Sequence, residues 1–157
     1  MSIDLVKTYL AGYGLEKQVR EFPVSSATVA LAAQALGVLP ARIAKTLSFQ
    51  SDDGCILVVA AGDARIDNAK FKAAFGMKAR MLPAQEVLRL TGHAVGGVCP
   101  FALNPGVPVY LDQSMRRFDT VFPACGSANS AIELTCAQLE AVSQAQGWVD
   151  VCKDWES

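Results

Sequence analysis

The spacing of apolar positions changes along the chain, and the changes cut it into short elements. Ile3, Val6 and Leu10 fall at helical spacing, and Gly12 and Gly14 end that run. Residues 19–23 read as a short strand. Ser25-Ser26 offer a cap to a helix over 28–36, which Gly37 stops, and Pro40 starts a helical turn as far as residue 43. Residues 45–50 alternate as a half-buried strand does, Asp52-Asp53-Gly54 makes a turn, and 55–61 is a second strand, so the two predict a hairpin. Asp67 caps a helix over 68–75 closed by Gly76. After a brief strand at 81–82, Pro83 opens a helix that Gly92 ends. Residues 93–106, rich in glycine and proline, form a structured loop. Strands follow at 107–111, 120–124 and 132–134, with Arg116-Arg117 in a turn and a second special loop at 125–130. Thr135 caps a last helix over 137–146, and 148–151 adds an edge strand.

Strands and helices interleave without a strict βαβ rhythm. Together with the hairpin, this predicts an α+β fold with a mixed, largely antiparallel sheet, and a doubly wound parallel sheet is the less favoured alternative. At 157 residues, 52% hydrophobic and 18% charged, the chain suits one domain with a real core, residues 1–157, without linker or repeat. Its first residues lack a basic start followed by an apolar run, and no apolar stretch is long enough to cross a bilayer. A soluble, cytoplasmic protein without a membrane partner is expected. Five cysteines without a Cys-x-x-Cys pair, and the lone His93, argue against a zinc site and for buried thiols.

Net charge is −1, yet the charge is unevenly placed. Eight cations (Arg65, Lys70, Lys72, Lys78, Arg80, Arg89, Arg116, Arg117) stand against Asp67, Glu86 and Asp112 in the middle of the chain, whereas the segment from Phe118 onward holds Lys153 against six acids. Such a basic middle suits phosphates; an ordinary mixed surface is the other reading.

No Gly-x-Gly-x-x-Gly, Walker loop or Gly-x-Ser-x-Gly elbow occurs, which leaves a site without metal or cofactor as the expectation. Three features carry candidate chemistry. Lys45 enters an apolar strand with no acid near it in sequence. It either snorkels to water or presents a compact cation with three donors to a phosphate or oxyanion. The loop Gly92-His93-Ala94-Val95-Gly96-Gly97-Val98-Cys99-Pro100-Phe101 is either a tight connection or a set of inward-turned backbone N–H groups. Ala124-Cys125-Gly126-Ser127-Ala128-Asn129 is either a self-satisfied turn or a source of hydroxyl and amide groups. His93 beside a glycine turn reads as structural; a nucleophilic pair with Cys99 or Cys125 lacks a third, orienting group.

Taken in order, several segments resemble the YbaK/ProX family of aminoacyl-tRNA editing domains over about residues 20–140. They are Thr28-Val29-Ala30-Leu31-Ala32-Ala33 with Leu36-Gly37-Val38; Ile43-Ala44-Lys45-Thr46-Leu47; Val58-Val59-Ala60-Ala61-Gly62-Asp63 with Ile66-Asp67; Thr91-Gly92 and Gly96-Gly97-Val98-Cys99-Pro100-Phe101; Val109-Tyr110-Leu111-Asp112; and Ala124-Cys125-Gly126-Ser127. The resemblance implies a curved, barrel-like mixed sheet surrounded by helices. It also implies hydrolysis of the ester joining a wrong, small amino acid to the 3′ end of a tRNA, commonly the proline tRNA, without cofactor or metal. By the same resemblance Lys45, Gly96 and Gly97 are catalytic, and Val98, Cys99, Pro100, Gly126, Ser127 and Asn129 bind substrate. Lys45 anchors by charge rather than attacking. The partners implied are the aminoacylated tRNA end and an aminoacyl-tRNA synthetase. The family's later-loop histidine has no counterpart, since no histidine follows His93. A binding module of the same fold without turnover and a cysteine hydrolase of unrelated esters are the alternatives.

Overall fold

The computed structural model describes residues 2–155. In chain order the elements are helix α1 (Ser2–Ala11), strand β1 (Arg20–Glu21), helix α2 (Val29–Leu36), strands β2 (Ile43–Ser51), β3 (Gly54–Ala61) and β4 (Arg65–Ile66), and helices α3 (Asn68–Phe75) and α4 (Ala84–Thr91). Then come β5 (Val109–Asp112), β6 (Thr120–Pro123), β7 (Ser130–Ala131), β8 (Leu134–Thr135), helix α5 (Cys136–Ser143), β9 (Gly147–Val149) and β10 (Cys152–Lys153). Short 3₁₀ turns at Pro40–Arg42 and Gln113–Arg117 lead into β2 and out of β5.

The main sheet runs β8-β6-β2-β3-β5-β9 and curls into a half barrel, so the protein is α+β. Its centre is the expected hairpin, β2 antiparallel to β3 from Ala44↔Ala61 to Ser51↔Gly54. The hairpin's neighbours are parallel, β6 on β2 and β5 on β3, with β9 parallel again outside β5. Antiparallel pairing returns at β6/β8 and in the small ladders β1/β7 and β4/β10. β3 explains why the sheet holds together. Its residues Leu57 to Ala61 are wholly buried, as a strand covered on both faces requires, and its sequence is an unbroken apolar run.

Several helix ends follow local chemistry. The Asp67 carboxylate accepts from the amides of Ala69 and Lys70, and Thr135 forms a reciprocal capping box with Gln138. The second helix corrects the sequence reading. Its cap is Thr28, whose hydroxyl accepts from Leu31 N, whereas Ser25 and Ser26 turn their hydroxyls to the Ala128 carbonyl across the molecule. The expected strand at 132–134 keeps only Leu134, in β8; Ile132 N donates to Pro123 O in the gap before it, and β7 forms earlier, at the end of the segment read as a loop.

Asp112 fixes the end of the sheet. Fully buried, it accepts from Ser114 N (3.0 Å) and Val151 N (2.9 Å), while Ser114 Oγ accepts from Ala61 N (3.1 Å). Asp112→Ala leaves two buried amides without partners and is expected to lower stability by about 2–4 kcal/mol. The urea midpoint at unchanged m-value measures this; a change too small to resolve would show that the carboxylate is not a structural anchor.

Candidate functional site

The site grows from β2. Lys45 pairs with Ala60 in the hairpin, one residue before β3 ends and the chain turns through Gly62, Asp63 and Ala64. That turn closes on the lysine: Lys45 Nζ donates to the carbonyls of Gly62 (3.3 Å) and Ala64. Gly62 is itself pinned. A Cβ there would lie 2.1 Å from the Pro40 carbonyl oxygen and 2.7 Å from Val29 Cγ1, so only glycine lets the turn pass so close to α2. Arg117 holds Asp63 beside it at 2.5 Å, which keeps that carboxyl below its ordinary range. Burial pulls the Lys45 ammonium below its usual value, opposed by the nearby Asp63 carboxylate. Of the ammonium's three N–H donors, two are engaged by the turn and one remains. The half-buried lysine is thus held by the turn rather than extended freely into solvent.

Lys45 forms part of the wall of a cleft of about 440 Å³. Apolar groups from α2 (Val29, Ala32), β2 (Ile43, Leu47), α4 (Val87) and β6 (Phe122) make most of the surface. The polar residues Ser26, Thr28, Thr46, Ser48 and Ser130 interrupt it, and Val95, Gly96 and Val98 close one side. Thr46 Oγ1 is buried with no hydrogen-bond partner. The cleft has the size and the few-polar, mostly apolar character of a small-ligand site.

The two glycine loops meet behind this wall. A Cβ on Gly97 would sit 2.9–3.0 Å from backbone atoms of Gly126 and Ser127, so the loops pack main chain to main chain. Gly126, at φ +88°, in turn leaves no room for a Cβ against Val6 and the Ser2 carbonyl of α1. The residues singled out in the sequence divide in three ways. First, the Gly97 amide donates to Ala94 O (3.0 Å), and of the two expected glycines Gly96 lines the cleft. Second, Cys99, Pro100 and Gly126 are buried and stand outside the cleft lining, Pro100 in a separate hollow with Tyr9 and Ala102, while Val98 lines the cleft. Third, Ser127 and Asn129 also lie outside the lining. Ser127 Oγ donates to Asn129 Oδ1 (3.0 Å) and stands 2.7 Å from the Oγ of Ser130, which does line the cleft, and Asn129 Nδ2 donates to Phe22 O.

The sequence reading missed the Gly62–Ala64 carbonyl turn and the place of Thr46, Ser48 and Ser130 in the lining. The segment Ala61-Gly62-Asp63 carried part of the resemblance, which was the one available signal for the turn.

His93 is a structural group. Its side chain is fully buried, Nε2 donates to Phe101 O (2.7 Å), and Nδ1 accepts from Ser2 Oγ (2.6 Å), tying the start of α1 to the loop. Cys99 Sγ lies 3.5 Å from Nε2, but burial pushes its thiol up to about 12, and Cys125 is raised likewise. Neither cysteine reaches the cleft, so a thiolate nucleophile is unsupported. Among the described residues no group of three His, Cys, Asp or Glu is placed to hold a metal, and no helix is long and apolar enough to cross a membrane.

Burial lowers the His93 pKa below 6.5. The folded protein therefore binds fewer protons at this group than the unfolded chain does. Stability from neutral His93 is complete above pH 6.5 and falls as pH drops below it. The depressed carboxylates Asp63 and Asp67 act only nearer their ordinary 3.8, so the loss between about pH 6.5 and 5 belongs to the histidine. Denaturation midpoints of wild type and His93→Gln should converge on acidification through that window; parallel curves would show that His93 does not titrate on unfolding.

The chain matches the family model described as an aminoacyl-tRNA editing domain over residues 24–142. It is 57% identical to the uncharacterized protein YwhH of Bacillus subtilis (strain 168), over 99% of this chain and 100% of that one. It is 30% identical over 103 residues to a proline–tRNA ligase of Thermotoga maritima, 64% of this chain and 18% of the ligase. A solved structure described as a candidate trans-editing enzyme for prolyl tRNA synthetase superposes with a TM-score of 0.87 at 33% identity, covering 97% of both chains.

Proposed function

The chain belongs to the aminoacyl-tRNA editing domain family, and on that premise we propose that it hydrolyses the ester between a small, mischarged amino acid and the 3′ end of a tRNA, with the proline tRNA as carrier. The observation that carries this reading is the meeting of Lys45 and Gly96 on one cleft, where the ammonium keeps a donor for a ligand. The match to a proline–tRNA ligase supports the choice of tRNA. The synthetase of that tRNA is the fitting protein partner.

In this reading the amino acid enters the apolar part of the cleft. The remaining N–H of Lys45 and the main chain at Gly96 face the ester carbonyl. Water adds to the carbonyl carbon as its proton passes to the neighbouring ribose hydroxyl, which hands its own proton on to the 3′ oxygen as the ester bond breaks. The oxyanion of the tetrahedral intermediate draws on Lys45 and Gly96, and collapse releases the 3′ oxygen as a hydroxyl. An aminoacyl ester is activated enough for this without a protein nucleophile, and Lys45, held by two carbonyls, serves as a fixed charge. A second sieve of this kind has value because one methylene separates small amino acids by only about 1–3 kcal/mol at a synthetase's own site.

A reading without turnover draws on the Gly97 amide, whose engagement by Ala94 O leaves few donors for an oxyanion. Release of amino acid from mischarged tRNA separates the two. Wild type is expected to deacylate, and Lys45→Ala to be slower by about 100-fold or more, the usual effect of removing an oxyanion donor. Equal rates would take the lysine out of the chemistry; tRNA bound with no release by wild type would favour the module without turnover.

A further inference from the structure

The packing sorts the basic middle of the chain. Lys70 pairs with Asp150 (3.2 Å), Arg89 with Glu86 (2.6 Å) and Arg117 with Asp63 (2.5 Å), while Arg116 lies over the Trp148 ring at 4.1 Å. Arg65, Lys72, Lys78 and Arg80 remain, all exposed and, among the described residues, without a carboxylate in ion-pair distance. Arg65 sits apart on β4 beside Lys153. The other three share one surface. Lys72 and Lys78 line a hollow alongside α3, with Asn68 and Ala69 of its first turn. Lys78 and Arg80 line the adjoining one with Gln50, Ser51 and Asp52, the only acid in either.

This surface leads to the cleft. Gln50 N donates to Arg80 O (2.7 Å), Met81 bridges Phe49, and Leu82 N donates to Ser48 O (3.0 Å), so residues 80–82 run along β2. Ser48, Met81 and Leu82 then line the cleft itself, with Met81 54% exposed at its mouth. A row of uncompensated cations that ends at an apolar rim fits a single-stranded polyanion whose terminus enters the cleft.

Resting on the function proposed above, we infer that Lys72, Lys78 and Arg80 form the phosphate track that guides the 3′ strand of the tRNA over Met81 into the cleft. Phosphate contacts of this kind position without reading sequence. They hold the strand in register, so the terminal ester arrives beside Lys45.

The test is binding of uncharged tRNA across a salt series. For K72Q/K78Q/R80Q the slope of log K against log salt should fall by about 2–3, since each phosphate contact contributes about 0.7–0.9. The equally discharged K17Q/R65Q/K153Q should keep the wild-type slope, and so should the charge-preserving K72R/K78R/R80K, with the thermal midpoint checking that each variant is folded. An unchanged slope in the first variant, or an equal fall in the second, overturns the track. Deacylation by wild type with an unchanged slope removes the track and leaves the hydrolase; tRNA held through these cations without deacylation does the reverse. Wild type that neither binds nor deacylates tRNA removes both.

Discussion

The ammonium of Lys45, gripped by the carbonyls of Gly62 and Ala64, is the constraint around which the cleft is arranged. A lysine on a strand wall ordinarily extends toward water. Here the chain leaving β3 folds back over it, and the turn fits only because Gly62 has no side chain to strike Pro40 and Val29. The charge is therefore fixed before a ligand arrives, and fixed donors avoid reorganisation when charge develops. Arg117 holds Asp63 in the turn next to it, and the Asp63 carboxylate favours the charged lysine.

The glycine loops act at one remove. The pressing of Gly97 against Gly126, and of Gly126 against α1, sets the depth of the wall that presents Gly96 and Val98. His93 fastens the same wall to the first turn of α1. The loop's chemistry is thus mainly that of a scaffold, with a small part of its main chain turned to the cleft. On the opposite side the edge at 80–82 joins the cleft to a surface of opposite character, charged and open.

Much of this was legible in the residues because the responsible forces are local. Asp67 and Thr135 cap their helices as read, the Asp52-Asp53 turn makes its hairpin, and the apolar run of β3 is the buried centre. Lys45 stood out as a cation in an apolar strand. What escaped depends on contacts far apart in sequence. The parallel partners of β2, β3 and β5 are set by crossovers, and Ser25 and Ser26 gave up capping because Ala128 O lies across from them. The Gly97 amide looked available until Ala94 O was found to face it, and a glycine motif cannot tell an open N–H from an engaged one. Ser130 reads as part of a loop, yet β1/β7 pairing carries it to the cleft.

The central claim is that a fixed Lys45 charge and the Gly96 main chain face one reacting carbonyl. A crystal structure with 3′-deoxy-3′-alanylamino-adenosine, whose amide replaces the labile ester, tests it most directly. The account predicts the analogue's carbonyl oxygen within hydrogen-bond distance of Lys45 Nζ, with the contacts to Gly62 and Ala64 kept and the alanyl methyl against the apolar wall. An analogue seated in this cleft with its carbonyl turned away from Lys45, or bound elsewhere on the molecule, would contradict it.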